Sequence, residues 1–230
     1  MSAPITIILP TLNAADRIGP CLGAIGQGLF EGLIREVILA DGGSQDAIGE
    51  IADATGATLI QTERGRGSQL AAGARAATGA EWLLFLHADT ILATDWPQKV
   101  LEHVQTNPGR AACFRLRLDS DAGAARLVER WANARTRLLS LPYGDQGLLI
   151  SRKLYDEVGG FQPIPLMEDV AIARRLGRRR IRMLDCTATT SAERYERDGW
   201  LRRGTRNLST LALYLMGRSP QALVQRYEKN

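Results

Sequence analysis

Four near-continuous apolar runs in the first 90 residues constrain the fold more than any other feature of this chain. They are ITIILP (Ile5 to Pro10), EVILAD (Glu36 to Asp41), ATLIQT (Ala57 to Thr62) and WLLFLH (Trp82 to His87). A strand with one wet face alternates apolar and polar residues, whereas a continuous run needs cover on both faces. Between the runs lie segments of helical composition: Ala14 to Ile25, Gln45 to Ala54 and Ser68 to Ala77. Strand and helix in alternation predict an α/β fold, a mostly parallel sheet with helices on both faces.

The second half is less regular. AACFRLRLD alternates from Phe114 to Leu118 and reads as a half-exposed strand; QGLLIS and IRMLD read as two more. RKLYDEVGGF begins a helix, and MEDVAIARRLG is a short helix ended by Gly177. From Gly199 onward the pattern is helical. Leu201, Leu208, Leu211, Ala212 and Leu215 could share one face there, with Arg202, Arg203 and Arg206 largely off it. With no repeat or linker, the simplest organisation is one domain over residues 1–198. Residues 199–230 then form a helical extension packed on it.

A chain of 230 residues can bury a core without disulfides or a structural metal. Cys21, Cys113 and Cys186 are scattered and form no C-x-x-C, which argues against a zinc site and fits a reducing cytoplasm. Met1 leads directly towards a strand, and no apolar run approaches the roughly 20 residues that span a bilayer. A cytoplasmic protein is expected. The net charge of +4 is too small to argue for nucleic acid. Arginines nevertheless crowd the stretch from Arg174 to Arg206. They make a solvated basic face, or a surface for an anionic substrate or an anionic leaflet. Trp200, Tyr214 and these arginines could dock peripherally on the inner face of a membrane and meet a lipid-linked acceptor; a helix packed on the core is the plainer alternative. The sequence leaves a homodimer open.

In open parallel sheets, ligands bind beyond the carboxyl ends of the strands. Pro10, Thr11 and Asn13 follow the first strand, Asp41, Gly42, Gly43 and Ser44 the second, and His87, Ala88 and Asp89 the fourth. Two carboxylates therefore reach one rim. Asp41 before Gly-Gly-Ser could equally be a turn that caps a helix, and Asp89 a cap or loop acid. A rigid carboxylate suits a hard cation, which is often held by one or two acids with substrate phosphates completing its shell. In an extended strand His87 points to the same side as Asp89, as a second contact or as a histidine satisfied by backbone. ERGRGSQLAAGARAATG offers Arg64, Arg66 and a helix start capped by Ser68, which suits a diphosphate or is a plain exposed loop. It is neither the dinucleotide fingerprint nor a P-loop. Glu168 and Asp169 open a helix, as dipole-favoured acids or as a general base. Asp145 and Gln146 lie in a glycine-flanked loop that closes over substrate or simply turns.

Taken in order, IILPTLNAADRI, EVILADGGSQD, ERGRGSQLAAGARAATGAEWLLFLHADT, GDQGLLISRKLYDEVGGF and MEDVAIARRL resemble the family 2 glycosyltransferases with the GT-A fold. These transfer a sugar from a nucleotide diphosphate donor. The tail and HADT are similar to a small bacterial subgroup, the arsenosugar-biosynthesis-type transferases. The resemblance implies that Pro10, Thr11 and Asn13 lie near the nucleotide and that Asp41 recognises its base. Gly42, Arg66 and Gln69 join this donor-binding set. His87-Ala88-Asp89 stands where the family carries its metal-binding Asp-x-Asp, with His87 replacing the first acid, so Asp89 is the expected ligand of Mn²⁺ or Mg²⁺. Asp169 is the implied catalytic base of an inverting transfer, and uridine the implied donor base. Two rivals use the same features: a nucleotidyltransferase, and a non-catalytic nucleotide-sugar-binding protein.

Overall fold

The computed structural model describes residues 4–228. In chain order the elements are β1 (Ile5–Thr11), α1 (Ala15–Phe30), β2 (Ile34–Asp41), α2 (Ile48–Thr55), β3 (Thr58–Gln61), α3 (Arg66–Ala76) and β4 (Trp82–Phe85). Then come β5 (Ile91–Leu92), α4 (Trp96–Thr106), β6 (Ala111–Asp119), α5 (Gly123–Leu139), β7 (Leu148–Ser151), α6 (Arg152–Glu157) and α7 (Glu168–Leu176). The last are β8 (Ile181–Ser191), α8 (Glu193–Asp198), α9 (Trp200–Leu215) and α10 (Pro220–Glu228), and a 3-10 turn, Gly144–Gln146, precedes β7.

The strands form one eight-stranded sheet in the order β3-β2-β1-β4-β7-β6-β8-β5. β3, β2, β1 and β4 are mutually parallel, β7 runs against both its neighbours, and β6 and β8 are parallel. Side chains alternate across β1. Ile5, Ile7 and Leu9 pack with Ile18, Cys21 and Ile25 of α1 and with Trp96 of α4. Ile8 points the other way, to Leu70 and Ala74 of α3 and to Leu154 of α6. Both faces are covered, as the unbroken apolar runs require.

Four expectations need correction. Strand β4 ends at Phe85, so His87 and Asp89 are not in extended chain; they sit in a turn closed by Thr90 N–H donating to His87 O. Helix α3 begins at Arg66 rather than Ser68. Its cap is Gly65 at φ +143°, which gives no side-chain capping bond. The strand read as IRMLD runs on to Ser191, through CTATTS, because β6 pairs with it over that length. The five apolar residues read as one face of α9 are divided, with Leu211 inside and Leu201, Ala212, Leu208 and Leu215 outside. Arg203, Thr210 and Leu211 are buried, while Leu201 is 83% exposed and Leu208 and Leu215 also face out. Asp198 accepts from Arg203 at 2.9 Å and Arg206 at 3.1 Å, drawing both arginines inward. Hydrogen bonds from Arg197, then Arg203 and Arg206, hold the Asp198 carboxyl down at about 2. Trp200 stacks on Tyr195, and Tyr214 packs in the apolar cluster around Leu211, so neither aromatic belongs to the outward face.

Helix α3 lies close on β1 because Gly73 lacks a side chain. A Cβ there would meet Ile8 Cγ2 at 2.4 Å. Alanine is favoured over glycine in a helix by about 1 kcal/mol, but overpacking a core costs about 1–3 kcal/mol. Gly73→Ala is therefore expected to lower stability in urea denaturation. In exposed Gly23 of α1 a Cβ meets nothing within 4 Å, and Gly23→Ala should raise stability by about 0.5–1 kcal/mol.

Candidate active site

Parallel pairing in register brings Thr11 level with Asp41, and Ile8 level with Phe85. The chain therefore leaves β1, β2 and β4 at one edge of the sheet. A cleft of about 490 Å³ opens there. Pro10, Thr11, Asn13, Gln69 and Arg66 line one side, and His87, Ala88 and Asp89 the turn after β4. Tyr143, Gly144, Asp145, Glu168 and Asp169 face them, and Arg194, Tyr195, Arg203 and Asn207 come from α8 and α9.

Strand ends leave backbone groups without ladder partners, and side chains supply them here. Gln69 Nε2 donates to Thr11 O at 2.7 Å and to Ala40 O at 2.8 Å, tying α3 to β1 and β2. Asp41 is fully buried and does not line the cleft. Its carboxylate accepts from Thr11 Oγ1, Gly43 N, Ser44 N and Ser44 Oγ. Burial pushes the Asp41 carboxyl up, but the hydrogen bonds from Ser44, Thr11 and Gly43 outweigh it and hold it below its usual range. Asn13 adds a second tie. It adopts φ +48°, a left-handed conformation that asparagine tolerates, and its Oδ1 accepts from Gln45 N at 2.9 Å. Asp41 and Gly42 stand behind the cleft wall, and Asp41 shapes the loop that could meet a base.

The opposite wall is built from the 143–147 loop and α7. Gly144 N donates to Asp169 Oδ2 at 2.8 Å, and Val170 N to Asp169 Oδ1 at 2.7 Å. Two backbone donors thus fix this carboxylate at the first turn of α7. The loop is pinned from behind by α5, which the apolar pattern of the sequence does not reveal. Thr136 Oγ1 donates to Gln146 Oε1 at 2.7 Å, Gln146 Nε2 donates to Phe114 O at 3.1 Å, and Arg135 lies 3.5 Å from the Tyr143 ring centroid. Gly144 cannot carry a side chain, since a Cβ would stand 2.5 Å from His87 Nε2. His87 Nε2 is buried with no hydrogen-bond partner. Burial, then Arg66 and Arg194, push its pKa well below the usual histidine value, so the ring is neutral.

Acids converge on this wall. Burial raises Asp145 to about 6, with Arg135 opposing and Asp169 and Asp89 adding to the rise; its Oδ1 has no hydrogen-bond partner. Burial and then Asp169 raise Glu168 to about 7, against the pull of Arg66, whose Nε lies 3.7 Å from its Oε1. The sequence marks Asp145 only as a loop residue; its glycine-flanked setting next to a strand is the available signal. Arg203, Asn207, Thr190 and Ser191 give none, because their place in the cleft depends on the length of β8 and on which face of α9 turns inward. Among the described residues no group of three or more His, Cys, Asp or Glu could hold a metal ion. Asp89 alone, half-buried beside the orphaned Asp145 oxygen, fits a cation whose remaining ligands come with a substrate.

Residues 6–164 match the family model for glycosyl transferase family 2. No curated protein sequence matches the chain. Similar solved structures include the mannosyltransferase PcManGT from Pyrobaculum calidifontis in complex with GDP-Man and Mn²⁺, with a TM-score of 0.70 at 19% identity, covering 96% of this chain and 67% of that one. Residues 1–349 of S. aureus TarS, in complex with UDP-GlcNAc, give 0.63 at 15% identity over 83% of this chain and 59% of that one. Glucosyl-3-phosphoglycerate synthase from Mycobacterium tuberculosis, with Mn²⁺, UDP and glucosyl-3-phosphoglycerate, gives 0.55 at 21% identity over 82% and 70%. The chain spans about three fifths of the TarS structure's length. At these identities the likeness is one of fold.

Asp41→Ala strands several buried donors and is expected to cost about 2–4 kcal/mol in urea denaturation near neutral pH. A carboxyl held low in the folded state stabilises above its unfolded pKa of 3.8 and stops doing so as the pH falls through its folded value. The gap between wild type and variant should therefore shrink below that pH.

Proposed function

The chain belongs to glycosyl transferase family 2 and has the GT-A fold, and on that premise we propose that it moves a sugar from a nucleotide diphosphate sugar to an acceptor hydroxyl with inversion. The reacting unit in this reading is the 1–198 domain, with the 199–230 extension supplying part of one wall. The observation that carries the reading is the convergence of Asp89, after β4, and Asp169, at the start of α7, on one cleft at the carboxyl edge of parallel strands.

Each residue then has a task. The loop after β1, braced by Asp41 and Gln69, seats the nucleotide. Arg66 and Arg194 face the cleft and oppose the charge of the diphosphate. Asp169, fixed by Gly144 N–H and Val170 N–H, takes the proton of the acceptor hydroxyl as that oxygen attacks the anomeric carbon. The diphosphate departs from the opposite face, and no covalent enzyme intermediate forms. A divalent cation, when bound at Asp89, supplies positive charge to the leaving diphosphate. The solved relatives with UDP or GDP-Man and Mn²⁺ support a donor and a cation of this kind, and uridine is the proposed base.

Asp169→Asn should slow nucleoside diphosphate release by roughly 10²–10⁴ while donor affinity by calorimetry stays nearly constant. Full activity in that variant would remove Asp169 as base. Pyrophosphate released from a nucleoside triphosphate would instead show a nucleotidyltransferase, and donor binding without any turnover a binding protein.

One acid makes a poor cation site by itself. Mn²⁺ should therefore bind weakly to the protein alone and tighten when UDP is present, with UDP tightening by the same factor when Mn²⁺ is present. Asp89→Asn should abolish this mutual effect in a titration calorimeter.

A further inference from the structure

Two neighbouring helices carry their largest apolar side chains on the outside. On α5, Leu127, Trp131 and Leu138 stand at helical spacing and are 66%, 57% and 68% exposed. Its inward face is Ala125, Ala132, Arg135 and Thr136. On α9, Leu201, Leu208 and Leu215 recur every seven residues on the exposed side, followed by exposed Met216. α5 and α9 pack against each other, so the two stripes lie on adjacent elements.

The charges on these outer faces have one sign. Arg130, Arg137, Arg202 and Arg218 are exposed. The one acid of α5, Glu129, is turned inward, where Oε1 accepts from Leu118 N at 2.8 Å and from Arg126 at 2.6 Å. No aspartate or glutamate occurs between Asp198 and Glu228. Exposed Asp121 precedes α5, but along the outer faces of the two helices themselves the leucine and tryptophan stripe is bordered by arginines, the surface of a helix that lies in a lipid–water interface. No described helix is long and apolar enough to cross a membrane, so such a surface lies on the bilayer.

We propose that the outer face of α5 and α9 docks on an anionic phospholipid leaflet. Charge decides against a second copy of the chain. A two-fold contact through this face would set arginine against arginine, with no exposed carboxylate on either helix to neutralise them. A leaflet rich in acidic head groups matches both the apolar stripe and its border. Docking also gives the arrangement of α9 a purpose. Its inner side presents Arg203, Asn207 and Thr210 to the cleft, so the leaflet lies about one helix diameter, roughly 10 Å, from the cleft wall. Resting on the transferase reading above, this geometry assigns the acceptor to the class of hydroxyl groups carried on lipids.

The test is co-sedimentation of the full chain with phosphatidylcholine vesicles, with and without about 30% phosphatidylserine, at about 0.15 M salt. The wild type is expected to pellet with the acidic vesicles and much less with neutral ones. Trp131→Ser/Leu138→Ser/Leu208→Ser should lower the partition coefficient at least tenfold. Arg130→Glu/Arg137→Glu should remove the preference for phosphatidylserine. All these side chains are exposed, and circular dichroism and the melting temperature report that each variant is folded. A wild type that stays in the supernatant with acidic vesicles overturns the proposal. So does a serine variant that binds undiminished, or a wild-type dimer in light scattering that the same variant converts to monomer. None of these readouts needs donor or turnover, so failure of the transferase reading, seen as no donor binding, is scored separately.

Discussion

Parallel strands that end at one edge leave their last carbonyl and amide groups without ladder partners, and this site is built on the way that shortage is met. Gln69 closes two carbonyls, Thr11 and Ala40, from a helix on the other side of the loop. Asp41 collects the amides of Gly43 and Ser44 and the hydroxyls of Thr11 and Ser44. Leaving any of these groups buried and unpaired would cost about 1–3 kcal/mol. The residues that satisfy the edge also fix where Pro10 to Asn13 stand, so satisfying the backbone and shaping that side of the cleft are one task.

The far wall obeys a different constraint. There, acids crowd together, and the one held by rigid groups is Asp169. Asp169 is held by two backbone amides, and Gly144, which offers one of them, is held by the Gln146 network on α5. His87 lies against Gly144 as a neutral ring and adds no charge to a wall already balanced between Arg66 and the acids. An aspartate in its place, as in the family's Asp-x-Asp, would add a further negative charge beside Asp145, whose carboxyl is already raised by burial and by Asp169 and Asp89. The histidine therefore leaves this wall with one negative charge fewer.

The sheet was legible because its strands are buried on both faces, and burial of that kind leaves a continuous apolar run that a half-wet strand does not show. The positions of Thr11, Asn13, Asp89 and Asp169 in the cleft followed from where those runs stop and from the resemblance. The turn after Phe85 was not legible, since the apolar run continues through Leu86, whose N–H still donates to Ile8 O at 3.1 Å, and no residue of the run marks the turn that begins at His87. The burial of Asp41 was hidden for a related reason. A DGGS turn looks the same whether its aspartate faces a ligand or its own backbone. Helix α5 escaped because its inward face is made of Ala125, Ala132, Arg135 and Thr136, residues that no apolar template selects.

Helix α9 shows what a hydrophobic stripe reports. The period found in the sequence is real, but it identifies the side that meets an apolar neighbour, which need not be the protein. On the inner side of α9 Arg203 meets Asp198 and the Tyr195 ring, and arginine serves that side better than leucine, because its charge is matched there by a carboxylate. The leucines are left on the outside. Fully covering one exposed leucine would contribute about 1.5–3 kcal/mol before the costs of association. Several such side chains together are a sizeable fraction of the stability of a typical domain, about 5–15 kcal/mol. A surface with that much unrealised burial is most simply understood as one that is covered when the protein works. In the docking proposed above, the arginines that border it would select a cover that is negatively charged.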